Sequence, residues 1–164
     1  MLNQGVIQQI GQPHGVFANP ANVWVAKILG HPQINLIDCT VQRSGELLEL
    51  VSRDGRIRVG VPDSLAAALL RRQAEEYILG IRPMHLHVVA GEQREGRSCQ
   101  GAVYVFERLG TRGVLTAKVG AQKLDVLTPI ERNFAIDEAV ELAIDARHLL
   151  IFDRATEQNI LFMK

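Results

Sequence analysis

Two histidines, His85 and His87, have the spacing closest to that of a metal-binding pair. On a strand, positions i and i+2 face the same side, so both imidazoles could share one ion. A third ligand would have to come from elsewhere, and His148, Cys99 and Glu92 are the candidates. Two ligands do not close a zinc site. The favoured interpretation is therefore two half-exposed histidines near the start of a strand, without a metal.

Two other segments allow both a structural and a functional interpretation. Arg82-Pro83 suits a strand end, with a solvated arginine and a proline that sets the exit direction. Alternatively, Arg82 is anchored and its fork of donors reaches a carboxylate. Residues 109–113 predict a hairpin loop in which glycines adopt positive φ, or a close approach of the backbone to a ligand or partner. The structural interpretation is favoured for both segments.

Motifs of several catalytic classes are missing from the sequence. It contains no phosphate-binding loop, no G-x-G-x-x-G run, no G-x-S-x-G elbow and no H-E-x-x-H helix. No pairing of a nucleophile with a base is visible either. We therefore expect no catalytic residues and no bound cofactor in this chain.

Charge and cysteine content restrict the class of partner. Lys+Arg and Asp+Glu both number 18, so the formal net charge is zero. Proteins that bind nucleic acid usually carry a surplus of basic residues, so we do not expect this chain to bind nucleic acid. Cys39 and Cys99 are too few and too far apart for a disulfide framework, which favours a reducing cytoplasm. No apolar stretch is long enough to span a bilayer, and the first residues do not resemble a signal peptide.

The first thirty residues combine strand and helix patterns. Residues 6–10 predict a strand, which Gly11-Gln12-Pro13 ends. Residues 20–30 predict a helix, because they begin with proline and end with glycine; we expect Trp24 to pack within the chain. Asn3-Gln4-Gly5 has the composition of a hairpin turn, but only two residues precede it. Either this arm is short and frayed, or the chain has been cut from a longer one.

Residues 31–164 predict a mainly β fold. Short strands with turns every eight to twelve residues indicate a sandwich or barrel. A helix is predicted over residues 65–73, capped by Pro62-Asp63-Ser64, with Leu65, Leu69 and Leu70 on one side. Residues 91–98 predict a loop. The predicted strands cover residues 34–41, 47–52, 57–61, 76–81, 86–90, 102–108, 114–119, 123–128, 140–144, 149–152 and 159–162.

Five fragments, in order, resemble one family. These are NQGVIQQIGQP (residues 3–13), FANPANVWVA (17–26), ILGHPQIN (28–35), LGIRPMHL (79–86) and Phe152-Asp153. They are similar to segments that begin at the end of the ATPase core in maltose-importer-type ABC transporter subunits. Met84, Glu157 and Gln12 depart from the family pattern. They put in doubt any specific regulatory contact at those positions.

The resemblance implies a division of the chain and a role for it. Residues 1–30 would be a strand–helix remnant of the nucleotide-binding core with its linker helix. Residues 31–164 would form the regulatory TOBE domain, an OB-type, MOP-like β-barrel with short helices. The ATP and Mg²⁺ sites would lie in the missing core, so the intact parent, and not this piece, would be an ATPase. The candidate contact residues are Arg82, Pro83, Glu107, Leu109, Gly110 and Arg112.

The resemblance also implies partners and a location. We expect a homodimer, contact with the transporter membrane subunits through the ATPase core, and binding of a cytoplasmic inhibitor protein. The chain would lie in the cytoplasm, peripheral to the inner face of the cell membrane, and would serve sugar uptake. A second hypothesis is a module that binds an oxyanion or sugar, for which the basic residues between Arg108 and Lys118 could supply donors. Nucleic-acid binding is a third, disfavoured by the zero net charge and few aromatic residues.

Overall fold

The computed structural model describes residues 1–45, 47–72, 74–89 and 98–162 of the chain. Its first part contains a minimal hairpin and two short helices. The elements are β1 (Leu2–Asn3), β2 (Val6–Ile7), α1 (Pro13–Ala18) and α2 (Val23–Ile28). The described residues after them form mainly strands, which confirms the predicted mainly β class.

Two antiparallel five-stranded sheets make up the β-domain. The first contains β3 (Asn35–Ser44), β4 (Leu47–Ser52), β5 (Arg58–Gly60), β6 (Glu76–Ile81) and β12 (Leu150–Asp153), in the spatial order β12-β6-β3-β4-β5. The second contains β7 (Leu86–Val89), β8 (Ser98–Leu109), β9 (Arg112–Val119), β10 (Gln122–Pro129) and β11 (Ala139–Ile144), in the order β10-β9-β8-β11-β7. Helix α3 (Asp63–Leu70) and two 3₁₀ helices, Pro83–His85 and Ala146–His148, complete it.

The main hydrophobic core draws on both sheets. Ile37 and Leu79 of the first sheet are fully buried in the same cluster as Leu115 of the second. In β11, Val140, Leu142 and Ile144 are buried and the residues between them are half-buried. Alternate residues of this strand therefore face the core. Burial of one face of each strand is what a period of two residues requires.

The two sheets do not pair into one closed barrel over the described residues. Instead, a side chain bridges them between β3 and β10. Asn35 donates from Nδ2 to the Asp125 carbonyl at 2.9 Å and accepts from the Asp125 amide at 2.7 Å. These are the two bonds that a neighbouring strand would make. The fold is OB-type, with an amide side chain in place of one strand pairing.

The N-terminal predictions need three corrections. The strand predicted over residues 6–10 ends at Ile7 and pairs with Leu2–Asn3, because Gln4 and Gly5 both adopt positive φ in the turn. Pro13 begins helix α1 instead of only ending a strand, since proline suits the first helical position. Helix α2 begins after Asn22, whose side chain accepts from the Val25 amide at 2.9 Å.

Three predictions in the β-domain also need correction. The helix predicted over residues 65–73 lies at Asp63–Leu70, and no side chain caps its start. Leu69 is buried, whereas Leu70 is 62% exposed because it lies about 100° further round the helix. No strand forms over 159–162: the Asn159 side chain donates to the Pro20 carbonyl and accepts from the Leu161 amide, which turns the chain.

Some expectations are only partly tested. The predicted loop at 91–98 lies outside the described residues, apart from Ser98 at the start of β8. Trp24 is half-buried. The division at residue 30 stays a prediction. Within the described ranges, no helix has the length and apolar character needed to cross a membrane.

Two hairpin turns, one from each sheet, are held together by Asp54. Its carboxylate accepts from the Ser52 hydroxyl at 2.7 Å and from the Ala121 amide at 3.2 Å, which links the β4–β5 turn to the β9–β10 turn. The Ser52 hydrogen bond is the main reason that the pKa of Asp54 is lowered. Gly120 adopts φ +57°, and a Cβ there would overlap the Asp54 carboxylate. This contact therefore requires glycine.

Gly120→Ala tests this link between the sheets. We expect it to lower the free energy of unfolding by about 2 kcal/mol or more, since positive φ and steric overlap both oppose the methyl group. The measurement is urea unfolding. Gly110→Ala is the matched control, because Gly110 also has positive φ but nothing lies within 4 Å of its added Cβ. Equal destabilisation by the two substitutions would show that the Asp54 contact adds nothing.

Candidate functional site

Arg82 lies at the junction between the N-terminal helices and the β-domain. It follows the last residue of β6 and is only 4% exposed. Its Nη1 donates to the Leu29 carbonyl at 2.7 Å and its Nη2 to the Phe17 carbonyl at 2.6 Å. The guanidinium carbon also lies 3.6 Å from the centre of the Phe17 ring. One side chain of the β-domain thus holds the end of α1 and the end of α2.

Each sequence interpretation of Arg82 is correct only in part, because the residue does follow the end of a strand and its side chain is anchored. The side chain is not solvated, and its partners are backbone carbonyls instead of a carboxylate. Burial lowers the pKa of the Arg82 guanidinium to about 10, so it keeps its charge at neutral pH. Two carbonyl groups and an aromatic face compensate that charge. Pro83 is also buried, at the start of the 3₁₀ helix.

The apolar contact between α2 and the β-domain lies beside this arginine. Val23 and Ala26 of α2 form a second buried cluster with Ile34, Ile78 and Phe152. The chain leaves α2 through Gly30, which takes φ +111°. Residues with a side chain rarely adopt this value, so a glycine suits this position. Polar and apolar contacts therefore hold the same two segments together.

The other candidate contact residues lie at the tip of the β8–β9 hairpin. Glu107 and Arg112 are exposed, Leu109 is 46% exposed, and Gly110 forms the turn with φ +60°. The predicted hairpin is confirmed. The structure thus separates the six candidates into a buried pair, Arg82 and Pro83, and an exposed group of four. Their assignment as partner contacts stays a prediction.

Gly113, the second glycine of residues 109–113, lies where the chain leaves no room for a side chain. It lies inside β9, and a Cβ there would come within 2.5 Å of the Phe106 ring and 2.7 Å of the Thr128 hydroxyl. The close approach that the sequence allowed is therefore made by the chain's own Phe106. Phe106 in turn meets Phe134 edge-on, with ring centres 5.2 Å apart.

Of the candidate metal ligands, the structure brings together His85 and His148 but not His87. His87 lies exposed on β7, whereas His85 precedes the strand, so the two do not share a strand face. The rings of His85 and His148 are stacked, with centres 3.9 Å apart and planes within 6°. Burial, and then the neighbouring His148, lower the pKa of His85. Cys99 is buried in the core, and Glu92 lies outside the described residues.

Asp145 completes this group and was missed by the sequence analysis. Its carboxylate lies 3.2 Å from His148 Nδ1 and accepts three bonds from Arg147, two from the side chain and one from the backbone amide. The hydrogen bond from Arg147 is the largest of the causes that lower the pKa of Asp145. His85 and Asp145 are 60 positions apart in the sequence, and no local spacing indicates that they meet.

A groove of about 620 Å³ lies beside β7 and β11. Val88, Phe134 and Val140 supply apolar walls, and Arg132 and Glu141 supply charges of both signs. Arg132 donates to the Val88 carbonyl at 3.2 Å, and Glu141 accepts from the Ser98 hydroxyl at 2.5 Å. Its volume is within the range of small-ligand sites.

Two family models match adjoining parts of the chain. Residues 30–86 match the MalK OB fold domain, and residues 79–152 match the TOBE domain. Together they extend across both sheets, and they overlap where β6 leads into β7. This chain carries a MalK-type OB fold domain and a TOBE domain. The resemblance to maltose-importer-type ABC transporter subunits is thereby confirmed.

Relatives of this MalK/TOBE chain are ATP-binding proteins of ABC transporters. An uncharacterized ABC transporter ATP-binding protein, YurJ of Bacillus subtilis, is 30% identical over 98% of this chain and 44% of its own length. The sn-glycerol-3-phosphate import ATP-binding protein UgpC is 32% identical in Burkholderia pseudomallei, over 95% of the chain, and 29% identical in Salmonella typhi, over 98%. The chain spans 41% and 42% of these two UgpC proteins.

A solved structure shows the same kind of fold. The cytoplasmic molybdate-binding protein ModG, crystallised with molybdate bound, superposes with a TM-score of 0.58 and 12% identity. The match covers 71% of this chain and 94% of that one. At this identity the similarity is evidence about the fold of the MalK/TOBE chain, and it carries no conclusion about its ligand.

Arg82→Ala tests the junction. We expect a loss of about 3 kcal/mol in the free energy of unfolding, because two carbonyl groups lose charged donors and the Phe17 ring loses its cation. Arg82→Lys should recover only part of it, since an ammonium lacks the planar fork. Chemical denaturation measures both. Exposed Arg112→Ala serves as the control and should stay within about 0.5 kcal/mol of the wild type; a loss no larger at Arg82 would contradict the anchoring role.

Proposed function

We propose that this chain is the regulatory region of the ATP-binding subunit of an ABC importer for sugars or related small solutes. The observation that carries the proposal is the match of two adjoining family models over residues 30–152. Relatives named as import ATP-binding proteins support the importer class. The region acts through protein contacts. ATP and Mg²⁺ belong to the nucleotide-binding core of the longer protein, and this chain supplies no catalytic group.

The structure supports a mechanism based on coupling. Arg82 and the α2 packing hold the N-terminal helices and the β-domain as one unit. Movement of an ATPase core joined to those helices is then passed to the β-domain, whose exposed surface can contact a second subunit. A protein that binds one arrangement better shifts the equilibrium toward it by its difference in affinity.

The exposed group at the β8–β9 tip is the proposed contact surface. It offers an apolar side chain, Leu109, between charges of opposite sign at Glu107 and Arg112. An apolar centre with a charged rim is the common composition of protein contact sites. We propose that it contacts the twin domain of a homodimer or a cytoplasmic inhibitor protein. The membrane subunits would be reached through the ATPase core, at the inner face of the cell membrane.

Sedimentation velocity at rising concentration tests the contact surface. We expect a monomer–dimer equilibrium that Leu109→Asp shifts toward monomer, because a buried carboxylate at the contact is costly. Leu70→Asp is the control, since Leu70 is also an exposed leucine but lies on α3. The same samples should show no ATP hydrolysis. A monomer at every concentration, or equal effects of both substitutions, would contradict the dimer contact.

A second candidate function is binding of a small anion or sugar. The fold that it shares with the molybdate-binding protein ModG favours this candidate. The groove beside β7 and β11 has the required size, and Arg132 supplies a cation there. Lys118 lies directly opposite Lys123 on β9 and β10, and the Lys123 ammonium lies 3.5 Å above the Tyr104 ring. These lysines offer an alternative site for an anion on the same sheet.

Thermal-shift measurements with molybdate, sulfate, phosphate and maltose separate the two candidate functions. For a ligand module, one compound should raise the melting temperature in a saturable manner, because binding to the folded state stabilises it. Arg132→Gln should abolish the shift if the groove binds it, and Lys118→Gln if the lysines do. No shift with any of the compounds would remove the second candidate.

A further inference from the structure

The two 3₁₀ helices bring three side chains of types that can bind a metal ion to one place. His85 ends the first helix and His148 ends the second, and Asp145 directly precedes the second. The backbone fixes this arrangement: the Asp145 amide donates to the His85 carbonyl at 3.0 Å, and the His148 amide donates to the Asp145 carbonyl at 3.2 Å. The three side chains therefore emerge from a hydrogen-bonded frame that joins the β6–β7 and β11–β12 connections.

The ligand atoms are already close together. One nitrogen from each histidine and one oxygen of Asp145 all lie within 4.8 Å of one another. In a tetrahedral zinc site, neighbouring ligand atoms are about 3.3 Å apart, as bond lengths of about 2.0–2.1 Å require. The atoms thus need to approach by no more than roughly 1.5 Å. Because the two rings are stacked, that approach requires them to tilt until both nitrogens face a common point.

We propose that His85, His148 and Asp145 form a binding site for a divalent transition-metal ion, with Zn²⁺ as the reference ion. Two imidazoles and one carboxylate suit zinc and its neighbours better than Mg²⁺ or Ca²⁺, which favour oxygen ligands. His85 and Asp145 are half-buried and His148 is exposed. The ion can therefore enter from solvent and keep a water molecule as its fourth ligand.

Arg147 competes for the same carboxylate. Its Nε and Nη2 donate to the two oxygens of Asp145 at 2.9 and 2.8 Å. A metal ion bound through Oδ2 has to displace Nη2 and tolerate a nearby positive charge. The Arg147 side chain is 82% exposed and can turn into solvent. The ion pair therefore weakens metal binding without blocking it, and its removal should increase affinity.

The cysteines do not compete with this site. Cys39 and Cys99 are buried in the core, where burial raises their pKa values to about 12 and about 11. A protonated, buried thiol is a poor metal ligand because the thiolate is the binding form. The remaining imidazole near the site, His87, is exposed on β7 and lies outside the cluster. It provides a matched control.

A bound ion would cross-link the two sheets. β6 and β12 belong to the first sheet, β7 and β11 to the second, and each 3₁₀ helix lies where the chain passes from one sheet to the other. An ion held by both connections opposes separation of the sheets at this end. It stabilises the folded state as any ligand that binds only that state does.

Isothermal titration with ZnCl₂, on the untagged chain in a buffer without chelators, tests the site. We expect one equivalent to bind and the melting temperature to rise with the ion. His148→Ala should weaken binding by about tenfold or more and remove the thermal shift, while His87→Ala leaves both unchanged. Arg147→Ala should strengthen binding several-fold, an effect that a nonspecific surface histidine would not show.

His85→Ala is the second ligand variant, and its fold is checked by circular dichroism because His85 is half-buried. His148 is exposed, so a folded His148→Ala protein keeps the test valid if His85→Ala unfolds. Saturable binding that both His148→Ala and Arg147→Ala leave unchanged would overturn the proposal. An absence of saturable binding to the wild-type chain would overturn it as well.

Discussion

The guanidinium of Arg82 determines how the N-terminal helices meet the β-domain. A buried charge is stable only when hydrogen-bond acceptors surround it, and the Phe17 and Leu29 carbonyls are the acceptors here. Those carbonyls lie near the C-terminal ends of α1 and α2, where backbone acceptors are left without helical partners. The same contact therefore compensates the buried charge and provides donors for the carbonyls at the helix ends. The helices cannot turn away from β6 without leaving the charge and the carbonyls uncompensated.

The contacts of Arg82 give the β-domain a defined orientation relative to helices α1 and α2. Apolar packing alone, through Val23 and Ala26, would permit sliding, whereas directional bonds from a planar group set an angle. Links of a similar kind recur between the two sheets. The Asn35 amide pairs with the Asp125 backbone, and Asp54 bridges two hairpin turns. Small numbers of polar side chains therefore set the geometry that the hydrophobic core stabilises.

Local pattern predicted most of the strands, and the resemblance of five sequence fragments predicted the fold family. Glu76–Ile81 was predicted at the bounds that the structure shows, because its ends are marked by charged residues and by Arg82-Pro83. The errors in the predicted bounds occur where a side-chain hydrogen bond, and not the local sequence pattern, determines where an element begins or ends. Asn22 sets the start of α2 and Asn159 turns the chain at the end. Nothing in the neighbouring sequence shows that an asparagine will bond across 139 positions.

The same limit applies to the candidate sites. The sequence indicated that Arg82 matters but not that its partners are backbone carbonyls, since carbonyls have no sequence signature. It offered His148 as one of three possible partners for His85, yet paired His85 first with His87 from the i, i+2 spacing of a strand. That pairing fails because β7 begins at Leu86, so His85 lies before the strand and His87 within it. Asp145 had no signal at all. Contacts between distant connections depend on the topology of both sheets.

The contacts of Arg82 and α2 require the N-terminal helices and the β-domain to move as one unit. Pulsed electron paramagnetic resonance measures this directly, with spin labels on Lys27→Cys in α2 and Lys118→Cys in β9, both exposed positions. The native cysteines are buried, so the labels attach to the introduced sites. We expect one narrow distance distribution, which broadens when Arg82 is replaced by alanine. A broad or multi-peaked distribution in the protein with Arg82 intact would contradict it.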